Sequence, residues 1–284
     1  MAEAQPVVGI LSIGEMGLGI ANLLLSHGYR VVTYAEDRRQ VFPFRYQDKK
    51  NHVPNRNPRI SKATKDRARS TNIELLPSIK DLICASAVIL SIVPPKDALR
   101  TAQRVHDQTP SNIRDKPVYY LDLNATAPSL ATHTNDLLSS NPNKNIVYVD
   151  GGIIGGPPRK VNSTGWTTPS LVVSGPTQLP YPDLARTLNI EHVSPRIGAA
   201  SGVKLCFAST TKGFFALAIQ SYVTAQSMGV FPELRKYMGK HNPQTLEIAD
   251  RGVVGMPPKA YRWVNEMQQI GEMMEREGGF GKGL

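Results

Sequence analysis

Residues Val7–Leu25 read VVGILSIGEMGLGIANLLL, and this stretch decides the fold. The aliphatic run Val7, Val8, Ile10 and Leu11 predicts a buried strand, the residues from Ser12 to Gly19 a tight corner, and Ile20, Ala21 and Leu23–Leu25 the buried face of a helix. A strand that turns through glycines straight into a helix leaves backbone N–H groups and the positive helix end open to an anion such as a pyrophosphate. The register Ser12-Ile13-Gly14-Glu15-Met16-Gly17 supplies the second and third glycines of the Gly-x-Gly-x-x-Gly dinucleotide fingerprint, with Ser12 in place of the first. Gly14, Glu15, Met16 and Gly17 are therefore the candidate phosphate cradle. The same spacing also occurs in purely structural strand-to-helix corners, so the rest of the chain has to decide between the two.

Working outward, His27-Gly28-Tyr29 closes the helix and Arg30-Val31-Val32-Thr33-Tyr34 predicts a second strand. At the tip of such a strand an acidic residue bonds the ribose 2′-OH, whereas arginine accommodates a 2′-phosphate. The tip Ala35-Glu36-Asp37-Arg38-Arg39 offers both, and the adjacent guanidiniums of Arg38 and Arg39 favour NADP over NAD, against the alternative of solvated loop charges. Residues 40–70 follow as a basic insertion with Pro43, Pro54 and Pro58, little apolar periodicity, and one short helix near Lys62–Arg69. Beyond Ile73–Leu76 and a helical Ser78–Cys84, the apolar run Ala87–Val93 stops at Pro94-Pro95, as expected of a central parallel strand covered on both faces.

The alternation continues with a helix over Lys96–Val105, a strand over Val118–Asp122, a helix over Ser129–Leu138, and strands over Ile146–Asp150 and Leu171–Ser174. This is the pattern of an α/β, doubly wound, Rossmann-type dinucleotide-binding domain over residues 1–196. From residue 197 the strand pattern is lost. Gly198–Gln226 is one long stretch of small and apolar residues, with helical segments around Pro232–Met238 and Lys259–Glu277, so residues 197–284 form an all-α domain for substrate binding and dimerisation. The apolar circumference of the long helix implies burial against a second subunit, a homodimer through the C-terminal helices.

A chain of 284 residues with 40% hydrophobic and 20% charged residues has the composition of an ordinary globular protein with room for two domains. Its net charge of +10 permits nucleic-acid binding, but outside Arg38–Arg69 the basic residues are spread out, and no nucleic-acid partner is expected. No apolar run is read as approaching the roughly 18 residues of a membrane span. The start MAEAQP lacks a signal-peptide layout, so the expectation is a cytoplasmic protein without a membrane partner. Cys84 and Cys206 lack metal-site spacing and read as buried thiols, with no metal site.

In their order, these motifs resemble the β-hydroxyacid dehydrogenase and 6-phosphogluconate-dehydrogenase-like superfamily, which includes imine reductases. Gly14-Glu15-Met16-Gly17 is similar to its Gly-x-Met-Gly corner, and Val93-Pro94-Pro95 to its nicotinamide-side loop. Asp122-Leu123-Asn124-Ala125-Thr126-Ala127-Pro128 resembles its Asp-x-Ser-Thr-x-x-Pro segment, and Asp150–Gly156 its substrate loop Asp-Ala-Pro-Val-Ser-Gly-Gly. Gly198-Ala199-Ala200-Ser201-Gly202-Val203-Lys204 resembles the start of its interdomain helix, and Pro258–Met267 a branch with its own C-terminal helical domain. The resemblance implies that Lys204 is catalytic and that Val93 and Pro94 lie beside the nicotinamide. It also implies that Asn124 holds the nicotinamide ribose or the substrate, and that Gly155 and Gly156 offer backbone donors to substrate; Lys212, eight residues or about two turns after Lys204, reads as roughly on the same helix face and joins the substrate contacts, against a salt bridge or a phosphate contact.

The departures bear on the substrate. Ser12 replaces a glycine, Ile154 a serine, and Ala208 the asparagine four residues after the lysine. Fewer polar groups make an imine or activated ketone a better candidate than an ordinary 3-hydroxy acid. Lys204 on an apolar helix facing a cleft is expected to lose affinity for its proton by desolvation, which suits acid–base work beside a hydride-carrying cofactor. The expected function is an NADP-dependent oxidoreductase acting on a small carbonyl, imine or hydroxy acid. The lost polar groups leave open a catalytically silent nucleotide-binding protein of the same fold, and the basic insertion a use in nucleic-acid binding. Bland roles stand beside these: turn contacts for Asp122 and Asp150, and packing for Met267, Met273, Met274, Tyr181, Tyr222, Tyr261 and Trp263.

Overall fold

Strand β1 (Val8–Leu11) is buried along its whole length and leads into α1 (Glu15–Ser26), whose Ile20, Ala21, Leu23 and Leu24 are buried as the sequence predicts. The structure, a computed structural model, describes residues 5–34, 66, 68, 70–111, 117–162 and 165–281. Arg38, Arg39 and nearly all of the basic insertion lie outside the described residues; of the short helix expected there, Asp66 and Ala68 are described and are helical.

The chain continues through β2 (Val31–Tyr34), β3 (Glu74–Leu76), α2 (Ile79–Ala85), β4 (Val88–Ser91), α3 (Ala98–Gln108), β5 (Val118–Asp122), α4 (Pro128–Ser139) and β6 (Ile146–Ile154). A small hairpin of β7 (Arg159–Lys160) and β8 (Trp166–Thr167) precedes β9 (Ser170–Ser174), α5 (Pro182–Thr187) and β10 (Ile190–Ser194). The main sheet has the order β10-β9-β6-β5-β4-β1-β2-β3. From the β3 edge this is the 3-2-1-4-5-6 order of a doubly wound nucleotide-binding sheet, whose switch point lies between β1 and β4. All neighbours are parallel except β6 and β9. One apolar layer joins α1 and Leu184 of α5 to one face, and α2, α3 and α4 cover the other. That double cover explains the unbroken hydrophobic run at Val88–Leu90.

Two sheet features escape the sequence. Strand β6 does not stop at Asp150: residues 146–150 pair with β5, and residues 150–154 pair antiparallel with β9. Gly151 and Gly152 conceal this extension, because glycine carries no strand signal of its own. β10 is an edge strand in which Ile190 and His192 are half-buried while Glu191 and Val193 are exposed.

After β10 the described chain is helical: α6 (Ala199–Ala208), a π-helical turn Ser209–Gly213, α7 (Phe214–Ser227), α8 (Phe231–His241), α9 (Pro243–Gly255) and α10 (Ala260–Gly278). The sequence pattern located α8 and α10 but not α9. Ala199–Ser227 forms one rod of 29 residues, with a mean hydropathy of 1.2 over its most apolar 18-residue window, so this chain does contain a helix of spanning length and composition. Ala200, Ser201, Leu205 and Ala208 are nevertheless buried and Lys204 faces a cleft, which ties the first third of the rod to the sheet. The cysteine expectation is corrected: Cys84 and Cys206 are exposed. On α2 the inward positions are Ile79, Leu82 and Ile83, and on α6 they are Ala200, Ser201, Leu205 and Ala208, which turns both thiols outward.

The corner itself explains the serine. Ser12 has φ of 75°, the left-handed conformation that the fingerprint's first glycine ordinarily supplies. A Cβ on Gly17 would lie 2.3 Å from the Ser12 carbonyl oxygen, so that glycine is required. Ser12→Gly is therefore expected to raise unfolding stability by about 1 kcal/mol, and Gly17→Ala to lower it by at least about 2 kcal/mol, measured by urea denaturation. Equal stability of all three proteins would contradict this account of the corner.

Candidate active site

Along the edge of the sheet one transverse row runs in register through Leu11, Ser91, Asp122, Asp150, Ser174 and Ser194. Asp150 is fully buried and binds the start of α6: Oδ2 accepts from the Ser201 amide at 3.0 Å and from Ser174 Oγ at 2.8 Å, and Oδ1 accepts from Ser201 Oγ at 2.5 Å. Ser174 Oγ also accepts from the Ala200 amide at 2.9 Å. Gly198, the residue before α6, makes no side-chain cap, so a carboxylate from the sheet complements the positive helix end instead. Burial pushes the Asp150 carboxyl above its usual range, and the Ser201 and Ser174 hydrogen bonds oppose that rise.

This anchor brings Lys204 against β6, where a Cβ on Gly152 would lie 2.6 Å from Lys204 Cβ. In a regular helix Lys204 and Lys212, eight residues apart, would point about 80° apart. The wider π turn Ser209–Gly213 lies between them, and both reach the carboxylate of Glu266 on α10. Lys212 Nζ donates to Glu266 Oε2, whereas Lys204 Nζ stands 3.9 Å from Oε1. The Lys212 ammonium also lies 5.4 Å from the centroid of the Trp263 ring, and that ring stacks on Phe215. Side-chain exposures of 16% for Lys204, 19% for Lys212 and 10% for Glu266 put all three in a largely dehydrated cluster. Burial lowers the Lys204 ammonium from the usual lysine range; Glu266 opposes the shift and Lys212 adds to it.

These groups line a cavity of about 450 Å³. Its walls come from Met16 on α1, from Ile92–Lys96 after β4, from Leu123–Ala125 after β5, and from Ile153 and Gly155 at the end of β6. Helix α10 closes it with Tyr261, Trp263, Asn265 and Glu266. Among the residues predicted from sequence, Met16, Val93, Pro94, Asn124, Gly155, Lys204 and Lys212 converge on this one space. Gly14 and Gly17 lie at the start of α1 beside it, Glu15 is exposed, and Gly156 does not line the cavity.

Asn124 has a specific geometry. It is buried, its Oδ1 accepts from the Val93 amide at 2.7 Å, and its Nδ2 donates to Asp122 Oδ1 at 2.6 Å and to Ser91 Oγ at 3.1 Å. Both amide hydrogens are thus committed to the scaffold, which fixes the loop after β4 relative to β5. Of the two remaining tyrosines, Tyr181 sits edge-on to Tyr119 and Tyr222 donates to Asp250 at 3.0 Å, both away from the cavity. Ala208 also lies outside it, in an apolar cluster with Ala127, Leu205, Ile270 and Met273.

Comparison with known proteins places this arrangement. The chain superposes on the conserved protein MTH1747, itself of unknown function and described as structurally similar to 3-hydroxyacid dehydrogenases, with 24% identity, 98% of this chain and 91% of that one covered, and a TM-score of 0.65. It also superposes on 3-hydroxyisobutyrate dehydrogenase from Mycobacterium tuberculosis, at 12% identity, 98% and 89% coverage and a TM-score of 0.67. The fold is that of the 3-hydroxyacid dehydrogenases and imine reductases. An imine reductase from Myxococcus stipitatus in complex with NADP+ matches at 16% identity, 90% and 78% coverage and a TM-score of 0.58, and a variant of it was solved with NAD+. Residues 225–283 match a domain of unknown function, DUF1932, which here comprises the end of α7 and all of α8 to α10. No curated protein matches by sequence. Within this dehydrogenase and reductase fold, the cavity lies between the main sheet and the helical region.

Sequence reasoning missed Glu266. The available signal was its position in the stripe Trp263, Glu266, Ile270 and Met273, where a charge interrupts an otherwise apolar helix face. Asp122 is the other buried carboxyl of the row: it is held at about 7 chiefly by burial, and its Oδ2 has no hydrogen-bond partner among the described residues. Since the native carboxyl keeps a proton that the unfolded chain releases near pH 4, Asp122 opposes stability progressively as pH rises from about 4 to about 7, by up to about 1.4 kcal/mol per pH unit. Asp122→Asn lacks this titration and should gain stability relative to the parent through that window. Urea unfolding at both ends of the window checks it, and a constant difference would refute it.

Proposed function

We propose that this protein is an oxidoreductase that binds NADP and exchanges a hydride with a small carbonyl, imine or hydroxy compound, with Lys204 as its acid–base residue. The observation that carries this reading is the placement of a largely buried lysine with a lowered proton affinity in a cavity that also receives Met16 of the glycine corner and the loop Val93–Pro95. The residues present fit a dinucleotide. The first turn of α1 has no side-chain cap, and a Cβ at Gly14 would meet nothing within 4 Å, so its N–H groups are open to a pyrophosphate. In this reading Gly14–Gly17 hold the pyrophosphate and Val93 and Pro94 flank the nicotinamide, while Arg38 and Arg39, outside the described residues, read a 2′-phosphate. The bound nicotinamide supplies or accepts the hydride.

The chain's own residues do the rest. Lys204 gives a proton to the carbonyl oxygen or imine nitrogen in reduction and takes it back in oxidation. Ile92, Leu123 and Ile153 exclude water and favour an apolar substrate body, and Gly155 offers its backbone to the substrate's polar end. Asn124 orients the loop that carries Val93 and Pro94. Titration of nicotinamide fluorescence is expected to show NADPH binding more tightly than NADH, and failure of both to bind would overturn the reading. With a turned-over substrate, Lys204→Ala is expected to lower kcat by about 100-fold or more while NADPH binds within about twofold of the parent. Cofactor binding without turnover across carbonyls and imines would favour a silent nucleotide-binding protein.

We also propose that a second copy covers the open side of the helical region, as a homodimer. Val203, Phe207, Leu217 and Val223 along the rod are all more than 40% exposed. Val203 also lines an apolar groove of about 710 Å³ with Cys206, Met273, Met274 and Phe280, so exposed apolar side chains on the rod and at this groove are the surface a second copy would cover. Leu217→Glu is expected to convert a dimer to a monomer in sedimentation analysis; a parent that is already monomeric at micromolar concentration would overturn the assembly.

A further inference from the structure

The carboxylate of Glu266 is divided between two lysines. Its Oε2 accepts from Lys212, while Oε1 is buried, has no hydrogen-bond partner among the described residues, and stands 3.9 Å from Lys204 Nζ. A buried carboxylate oxygen without a hydrogen bond is costly to keep, so its presence beside an ammonium calls for a role. The surroundings hold Glu266 in place. Lys212 is bracketed by the Glu266 carboxylate and the Trp263 ring. Helix α10 is fastened to the start of α4, where the Ala127 amide donates to Gln269 Oε1 at 2.8 Å and Ser129 Oγ donates to Glu272 Oε1 at 2.8 Å. The charged groups acting on Lys204 are Glu266 from α10 and Lys212 from the π turn; Lys96 and Tyr261 are the other titratable groups of the cavity wall.

We propose that Glu266 is the positioning residue that joins Lys204 and Lys212 into one proton-transfer chain, so that the proton Lys204 loses to the substrate is replaced from Lys212 through the carboxylate. The proposal rests on the reading of Lys204 as the acid. In the reducing direction a Lys204 N–H bond breaks as the substrate's O–H or N–H bond forms, leaving a neutral amine. Lys212 passes a proton to Oε2, the carboxyl turns about its Cγ–Cδ bond so that this new O–H faces Lys204 and gives the same proton to the amine, and Lys212 is reprotonated by water at its 19% exposed side chain. Three side chains return to their starting charges, and water has supplied one proton. In oxidation the order reverses. Two ammoniums in this dehydrated space repel each other, and the carboxylate between them lets the pair share their protons.

The test is competitive acetylation of the full-length protein with acetic anhydride across a pH series, the extent at Lys204 being read by mass spectrometry. In the parent, Lys204 is expected to titrate below ordinary lysine; in Glu266→Gln its midpoint should fall by about one further pH unit, and Glu266→Asp should restore most of the difference. An unchanged Lys204 curve in Glu266→Gln overturns the proposal. On a turned-over substrate, Glu266→Gln should lower kcat about tenfold or more with KM within about twofold, and should move the pH–rate limb assigned to Lys204. An unaltered kcat and limb likewise overturn it. Nicotinamide binding is measured separately in the same variants: loss of binding by the parent defeats the oxidoreductase reading, while the acetylation curves still decide whether Glu266 is coupled to Lys204.

Discussion

The site depends on a single buried carboxylate, that of Asp150, through which the sheet grips the helix that carries Lys204. A carboxylate with no water and no partner would be strongly destabilising. Here three hydrogen bonds from Ser174 and Ser201 and the positive end of α6 compensate it. Because those donors come from β9 and α6 while Asp150 belongs to β6, the same bonds that solvate the charge fix three elements relative to one another. The side chain of Lys204 then has little freedom, since the backbone of Gly152 lies against its Cβ. The fixed placement of Lys204 thus follows from the cost of leaving Asp150 unsolvated.

A second carboxyl in the same row behaves differently. Asp122 takes two hydrogen bonds from Asn124 on Oδ1, and burial dominates, so it holds its proton to about 7. Asp150 organises a helix, whereas Asp122 organises a loop, because the Asn124 side chain that binds it also binds Ser91 and the Val93 amide. The edge of the sheet is in this way a line of polar side chains whose partners are the segments that bound the cavity. The cavity is a consequence of satisfying them.

The sheet was readable in the sequence wherever both faces are covered, as at Val8–Leu11 and Val88–Ser91, because burial on both sides leaves an unbroken hydrophobic run. The corner was readable too, and the structure shows how the turn forms without the first glycine: it requires a left-handed backbone at residue 12, which Ser12 adopts. What escaped was set by partners distant in sequence. The extension of β6 through Gly151 and Gly152 depends on pairing with β9, and the exposure of Cys84 and Cys206 on how their helices are rotated. In the site, Lys204 and the loops were legible as motifs. Asn124 was legible as a position but not in its attachment to the scaffold, because the three groups it binds are contributed by β4, β5 and the loop between β4 and α3.

Glu266 and the π turn belong together in explaining the remainder. With ideal helical geometry Lys212 would point about 80° away from Lys204. The π turn at Ser209–Gly213 is the local distortion that places both on Glu266, and such turns recur where a helix has a functional side chain to aim. Immediately before it, Ala208 is buried among Ala127, Leu205, Ile270 and Met273, where a polar side chain would lack partners. Helix α6 therefore presents an apolar seam to α10 at Ala208, while a carboxylate enters the cavity from α10 at Glu266. The cavity is closed jointly by the rod Ala199–Ser227 and the last described helix, which is why the motifs of the sheet specify the fold more closely than what fills the cavity.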